Sequence, residues 1–217
     1  MDDYLPDLKT EQQKTLSAPR LRYGFFSKLL FASFDLVYGK KRTILKFKVL
    51  EIVARMPYQA WERVAYIAMT HTYMVPAFCR RIFDFVEESR RQQDNELWHL
   101  LLLEEMRQKK GIRENFFFYK VAPQIAAFLY YHATCLLYII KPSFGYQLNA
   151  EFEDHAEHEY MEFVKENPSF ENEHFESGFK KDYGDYKTVA DVLRRIGLDE
   201  RVHKEECLAR VPKARFQ

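Results

Sequence analysis

Residues 94–103 read DNELWHLLLL. Glu96 and His99 stand in a stretch otherwise apolar enough for a buried helix face. A carboxylate and an imidazole are costly to bury unless something pairs with them. Positions three apart lie ~60° from each other on a helix, one turn along, so both side chains can reach one ion. The same Glu-x-x-His spacing occurs at Glu171/His174 and Glu200/His203, whereas chance placement of 21 Glu and 7 His would give fewer than one such pair.

The three pairs differ in setting. Glu171/His174 lies in ENPSFENEHFESG, a polar stretch with no apolar stripe, and reads as a solvated loop pair. Glu96/His99 has Leu97, Leu100 and Leu101 beside it, and Glu200/His203 has Leu193, Ile196, Leu198 and Val202. A dinuclear carboxylate site in a four-helix bundle takes one Glu from each of two helices and a Glu-x-x-His from each of the other two. Glu51, in VLEIVARMPY, and Glu153, in NAEFEDHAEHEY, are the lone acids this requires. They precede the two pairs by 45 and 47 residues, so the chain reads as two similar halves. On pattern alone Glu151 and Glu157 compete with Glu153, and His155 and His158 read as residues behind the site or on the surface. Four carboxylates would roughly balance two divalent ions, and carboxylate with imidazole suits iron and manganese alike.

The rest of the composition agrees with helices. The chain has 217 residues, enough for one domain with a real core. Gly is scarce, at 7, and aromatic residues reach 16%, which favours an all-α chain over a sheet fold. A net charge of +1 predicts no nucleic-acid partner. Cys79, Cys135 and Cys207 are far apart and outside any C-x-x-C, so they read as reduced packing residues. The start, MDDYLPDLK, resembles neither a secretory signal nor an Arg/Ser-rich transit peptide, as expected of a chain that is not exported or of a trimmed form.

Residues 1–20 read as a loosely held polar tail and 21–213 as a single helical domain. Helices are predicted over 24–38, 44–70 with a kink near Pro57, 76–110, 115–140, 144–166 and 187–209, with a loop over 167–186. In 24–38, GFFSKLLFASFDLVY, Lys28 and Asp35 share a narrow wedge while Phe25, Phe26, Leu29, Leu30 and Phe34 cover much of the rest. Two readings stand: a core helix, or a helix lying in a membrane surface with Lys40, Lys41, Arg42, Lys46 and Lys48 toward anionic headgroups. Residues 121–140 carry no formal charge and are long enough to span a bilayer. A crossing there would put the two sets of metal-ligating residues on opposite sides, so a bundle helix or a face resting on lipid is expected instead.

VLEIVARMPY, NELWHLLLLEEM, NAEFEDHAEHEY and GLDERVHKEEC, with AAFLYYHATCLLYIIKPSFGYQ between the second and third, resemble the motifs of the alternative oxidase family. The match is closer to its plastid terminal oxidase branch and covers roughly 42–212. The resemblance implies a ferritin-like di-iron four-helix bundle with an additional N-terminal membrane-surface helix. It implies a homodimeric quinol oxidase in a thylakoid or cytoplasmic membrane, bound to one leaflet without crossing it. Such an enzyme oxidises two quinols, plastoquinol or ubiquinol, and reduces O₂ to two waters. By motif position the two iron ions are held by Glu51, Glu96, His99, Glu153, Glu200 and His203. Tyr160 falls on the family's tyrosine near the metals, and Asn95 and Asp199 on its hydrogen-bonding positions behind the ligands.

There are departures. Lys46 stands where the family usually has an arginine that helps position the quinone. Lysine keeps the charge but loses the planar fork. Glu159 replaces a small hydroxyl residue just before Tyr160. Lys46, Leu50 and Glu159 are expected at the quinol pocket. The loop before the last helix is shorter than in plant plastid enzymes. A di-iron hydroxylase of quinone biosynthesis or a ferroxidase could use the same six ligands. A non-catalytic helical membrane-surface protein is the alternative of another class.

Overall fold

The apolar runs form helices, and the punctuation between them sets their ends. The computed structural model describes residues 7–213, 215 and 216. The helices are α1 (Leu8–Ser17), α2 (Phe25–Tyr38), α3 (Ile44–Ala54), α4 (Met56–Thr72), α5 (Pro76–Lys109), α6 (Ala122–Ile140), α7 (Pro142–Glu166) and α8 (Val189–Arg210). A π-helical turn, Phe117–Val121, leads into α6, and a 3₁₀ turn spans Pro168–Glu171. The chain is all-α; among the described residues the one strand-like pairing is an isolated bridge between His174 and Thr188. The predicted kinked helix over 44–70 is two helices. Pro57 lies in the first turn of α4, where its missing N–H costs nothing, but that missing donor cannot continue α3.

The chain divides into two compact units. One holds the residues up to Arg42 with Ala150–Glu206, the other Thr43–Asn149 with the residues from Cys207 on. In the second unit α4 packs on α5 and α6, and α3 packs on the same two helices. Tyr58, Trp61, Phe85, Tyr138 and Tyr146 are buried together there. Their polar ends are paired: the Tyr138 and Tyr146 hydroxyls lie 3.0 Å apart, and Asn149 Nδ2 donates to the Tyr58 hydroxyl at 2.9 Å. Burial pushes the Tyr138 phenol up to about 12. The outer face of α6 leaves Ile125, Phe128, Leu129, Leu136, Ile139 and Ile140 exposed. With the π turn it is long and apolar enough to cross a membrane.

The basic run does not act as one patch. Lys40 and Lys41 are exposed. Lys48 is buried, with its ammonium on Glu114 and 3.1 Å from Glu104. The bond from Arg107, with Gln108 and Lys48 and against partial burial, holds the Glu104 carboxyl at about 2.

In the first unit, the tail reading is corrected from residue 7 on; residues 1–6 lie outside the described residues. Leu8–Ser17 form a helix whose polar side chains meet buried partners. Gln12 donates to the Met161 carbonyl at 2.8 Å and accepts from Arg194 Nε at 2.8 Å. Thr15 donates to Glu157 at 2.6 Å, and Arg201 reaches Glu11 at 2.5 Å. The segment is polar because the surface it covers is polar. Helix α2 is apolar on two sides. Ser27 is buried and Phe31 packs inward, its ring stacked on His155 at 4.0 Å, while Phe25, Phe26, Leu29, Leu36 and Val37 are exposed.

Helices α7 and α8 approach closely at Gly197. A Cβ added there would lie 3.0 Å from Met161 Cε, 3.2 Å from Tyr160 Cβ and 3.4 Å from the Glu157 carbonyl. The methionine tip can move; the other two atoms belong to the helix body. Gly197→Ala gains ~1 kcal/mol of helix propensity but overpacks this contact at ~1–3 kcal/mol. It is expected to lower the melting temperature, as followed by circular dichroism. A second expectation concerns acid. Because Glu104's value is lowered on folding, its stabilisation is complete above about pH 4.3 and is lost as pH falls toward about 2. Wild type should lose more melting temperature than Glu104→Gln across that window.

Candidate metal centre

Each unit gathers one Glu from one helix and a Glu-x-x-His pair from another. In the second unit Glu51 comes from α3 and Glu96 and His99 from α5. All three are fully buried. Glu96 and His99 fall in the buried stripe that continues through Phe85, Ser89, Gln92, Leu103 and Met106, so helical periodicity itself carries them inward. His99 Nδ1 lies 3.4 Å from Glu51 Oε2 and 3.7 Å from Glu96 Oε2. In the first unit Glu153 comes from α7 and Glu200 and His203 from α8, again buried, with His203 Nδ1 3.4 Å from Glu200 Oε2.

Within each trio one ligand atom per residue lies within 4.8 Å of the other two. Donors sharing an ion at ~2.1 Å stand ~3 Å or more apart, which is the spacing found here. Two carboxylates and an imidazole, with no sulfur, suit iron or manganese. Each trio therefore fits a divalent ion of that kind.

The competing acids are engaged elsewhere. Glu151 accepts from the Gly24 N–H at 2.7 Å and the Ser27 hydroxyl at 2.5 Å. Glu157 accepts from Thr15, Arg201 and Lys204. Glu153 is thus the α7 acid that joins Glu200 and His203. Glu171, of the loop pair, belongs to Arg194 and Lys9. A further buried group, Asp154, Glu157 and His158, also brings ligand atoms within 4.8 Å. There the Lys204 ammonium lies 3.2 Å from Asp154 and 2.5 Å from Glu157, so a cation already stands between the carboxylates.

Around the trios, Tyr160 is fully buried on α7, two turns after Glu153 and on the same face. Asp199 accepts from the Tyr183 hydroxyl at 2.6 Å and from Arg195 at 2.5 Å, which ties the loop before α8 to the residue next to Glu200. Asn95 is half-buried on α5 and Lys46 half-buried on α3, while Leu50 is buried. Glu159 meets Arg42 and Arg20. Burial alone would raise the Glu159 carboxyl. The Arg42 bond, the nearby His155 and the Arg20 bond together outweigh burial and hold it below the usual carboxylate value. Sequence reasoning missed Arg20, Tyr183, Arg195, Arg201 and Lys204. Arg195, four residues before Asp199 on one helix, was legible by spacing; the others act over long separations and left no local signal.

An all-helical chain with two buried trios of this composition has the donor set of a carboxylate–histidine metal site. A sequence model of the family described as "Alternative oxidase" matches residues 22–209, so the chain belongs to the alternative oxidase family. The match begins twenty residues before the stretch legible from the motifs. Among curated relatives, "Ubiquinol oxidase 4, chloroplastic/chromoplastic" of Arabidopsis thaliana is 34% identical over 131 residues, covering 60% of this chain. The aligned part spans 34% of that relative's own length.

Lys204 gives the region its own test. Lys204→Met leaves Asp154 and Glu157 buried with less positive charge. Breaking such a pair costs ~3–5 kcal/mol. Urea unfolding should show a loss of that order, and Lys204→Arg should recover most of it.

Proposed function

We propose that this chain is a membrane-surface quinol oxidase that oxidises two quinols and reduces O₂ to two waters. Glu51, Glu96, His99, Glu153, Glu200 and His203 together hold two iron ions. The observation that carries the reading is the repeated trio, one per half of the chain, in a member of the alternative oxidase family. When bound, the iron pair supplies the site for O₂ and a store of electrons.

The chain's own residues supply the rest. The four carboxylates offset the ionic charge, and the apolar neighbours keep water from it. Tyr160 would give up a proton and an electron together from its phenol toward the reduction of O₂ and regain both from quinol, which avoids a bare charge in an apolar site. Asp199, held by Tyr183 and Arg195, orients the end of the Glu200/His203 pair, and Asn95 does the like beside Glu96. Quinol binds beside Lys46 and Leu50, next to Glu51 on α3. Glu159, expected there as well, already accepts from two guanidiniums.

Quinol is dissolved in lipid, and the exposed apolar face of α2, with Lys40 and Lys41 just after it toward the headgroups, suits one leaflet of a bilayer; the exposed face of α6 is likewise suited to lipid. The relative's name, a chloroplastic ubiquinol oxidase, supports a plastid location and a quinol as the donor; we take the membrane to be a thylakoid and the quinol to be plastoquinol or ubiquinol. The working form is a homodimer.

Metal analysis and an oxygen electrode test this together. The expected result is about two irons per chain and uptake of one O₂ per two quinols oxidised, compared on ubiquinol and plastoquinol analogues. Glu96→Ala should abolish iron and uptake together. Tyr160→Phe should retain iron and lose uptake ~10²-fold or more, the lower range for a lost proton-transfer group. Wild-type uptake in Tyr160→Phe refutes the tyrosine's role. A hydroxylated ring or ferric iron as the product refutes the oxidase. For the lipid face, Leu29→Glu with Leu36→Glu should reduce flotation with anionic vesicles; unchanged flotation removes α2 from the membrane.

A further inference from the structure

Glu159 and Tyr160 are neighbours on α7, so their side chains leave the helix ~100° apart. Tyr160 is fully buried. Glu159 faces the segments laid along the other side of the helix, and what meets it there is unusual. Arg42, from the turn before α3, faces both carboxylate oxygens, with Nε 2.9 Å from Oε2 and Nη2 donating to Oε1 at 3.0 Å. Arg20 donates to Oε1 at 2.9 Å. Each arginine reaches further: Arg42 to Glu166 at 2.5 Å, and Arg20 to His155 Nδ1 at 3.2 Å. The His155 ring is the one stacked on Phe31 of α2.

A carboxylate has about four acceptor sites. With two guanidinium hydrogen bonds on Oε1 and Arg42 Nε 2.9 Å from Oε2, Glu159 has little left for a quinol hydroxyl. It has much to lose as an anchor, because a nearly buried charge that loses its partner is strongly destabilising. The same stretch of α7 is fixed on another side by Gly197 of α8, whose position leaves 3.2 Å between an added Cβ and Tyr160 Cβ. Tyr160 thus sits between a backbone contact and a charged clasp.

We propose that Glu159 is a positioning residue: clasped by Arg42 and Arg20, it fixes the rotation of α7 about its axis and thereby the phenol of Tyr160. The segment carrying Arg20, which precedes the family-matched residues 22–209, is then part of the working enzyme. This rests on the oxidase reading for its kinetic consequence. The magnitude is adequate. A group ~6 Å from a helix axis moves ~1 Å for a 10° rotation, and a 1 Å misplacement can cost ~10²-fold in rate.

The test uses the full-length, iron-loaded protein with Glu159→Gln, Arg42→Ala, Arg42→Lys and Arg20→Ala. Steady-state kinetics on a quinol analogue are read beside iron content and amide hydrogen exchange over residues 156–163. The expected result is kcat lowered ~10-fold or more in Glu159→Gln and Arg42→Ala, with KM within about twofold and iron retained. Arg42→Lys should recover much of kcat. Arg20→Ala should fall by a smaller factor, and exchange should quicken around Tyr160 in all but the lysine variant. A raised KM with kcat held would mean that Glu159 touches quinol and would overturn the proposal, as would unchanged kcat and exchange. If Glu159→Gln does not fold, Arg20→Ala and the Arg42 pair decide alone. Wild type that binds iron but takes up no O₂ with quinol defeats the oxidase reading instead. The exchange data then still judge the clasp, and unchanged exchange around Tyr160 overturns it.

Discussion

A carboxylate can be taken out of water only if donors or cations meet it, and that constraint organises this protein. Helix α7 carries acids on both sides. On one, Glu153 joins Glu200 and His203. On the other, Glu151, Asp154, Glu157 and Glu159 take backbone N–H groups, hydroxyls and the cations of Arg20, Arg42, Arg201 and Lys204. The first set has the spacing of a metal site, whereas the second is held by donors and cations of the protein itself. Neighbouring carboxylates on one helix thus have opposite fates, decided by what packs against each.

This is also why the site was more legible than its surroundings. Glu96/His99 and Glu200/His203 are local patterns, three residues apart in apolar helices, and their meaning follows from helix geometry. Glu153 could not be told from Glu151 and Glu157 by pattern. The distinction lies in partners more than a hundred residues away, such as Ser27 and Thr15. The residues after Asp7 were misread for the same reason. Polarity by itself suggests a free tail, yet Gln12 and Thr15 are buried. The helices were placed well, because apolar periodicity and prolines are local. Pro57 showed where the first long helix had to stop, although spacing alone suggested a bend where the chain in fact ends one helix and starts another.

Of the two expected departures from the family pattern, the one at Glu159 gains a physical sense from its partners. Lysine at position 46 and glutamate at position 159 each look unfavourable alone: one loses a planar donor, the other adds a charge beside a buried tyrosine. The added charge is matched by Arg42 and Arg20, so the exchange at 159 concerns how three segments are held as much as what lines a pocket.

Helix α2 has an apolar side turned to α7 and another turned outward, with little polar surface between them. Such a segment has no orientation that suits bulk water. Half of its grease is satisfied by the fold, and the remainder sets a standing demand for an amphiphile. Handling the purified protein therefore becomes a matter of what that second side touches: a detergent micelle, a lipid disc, or, when these are diluted away, the same helix on another molecule.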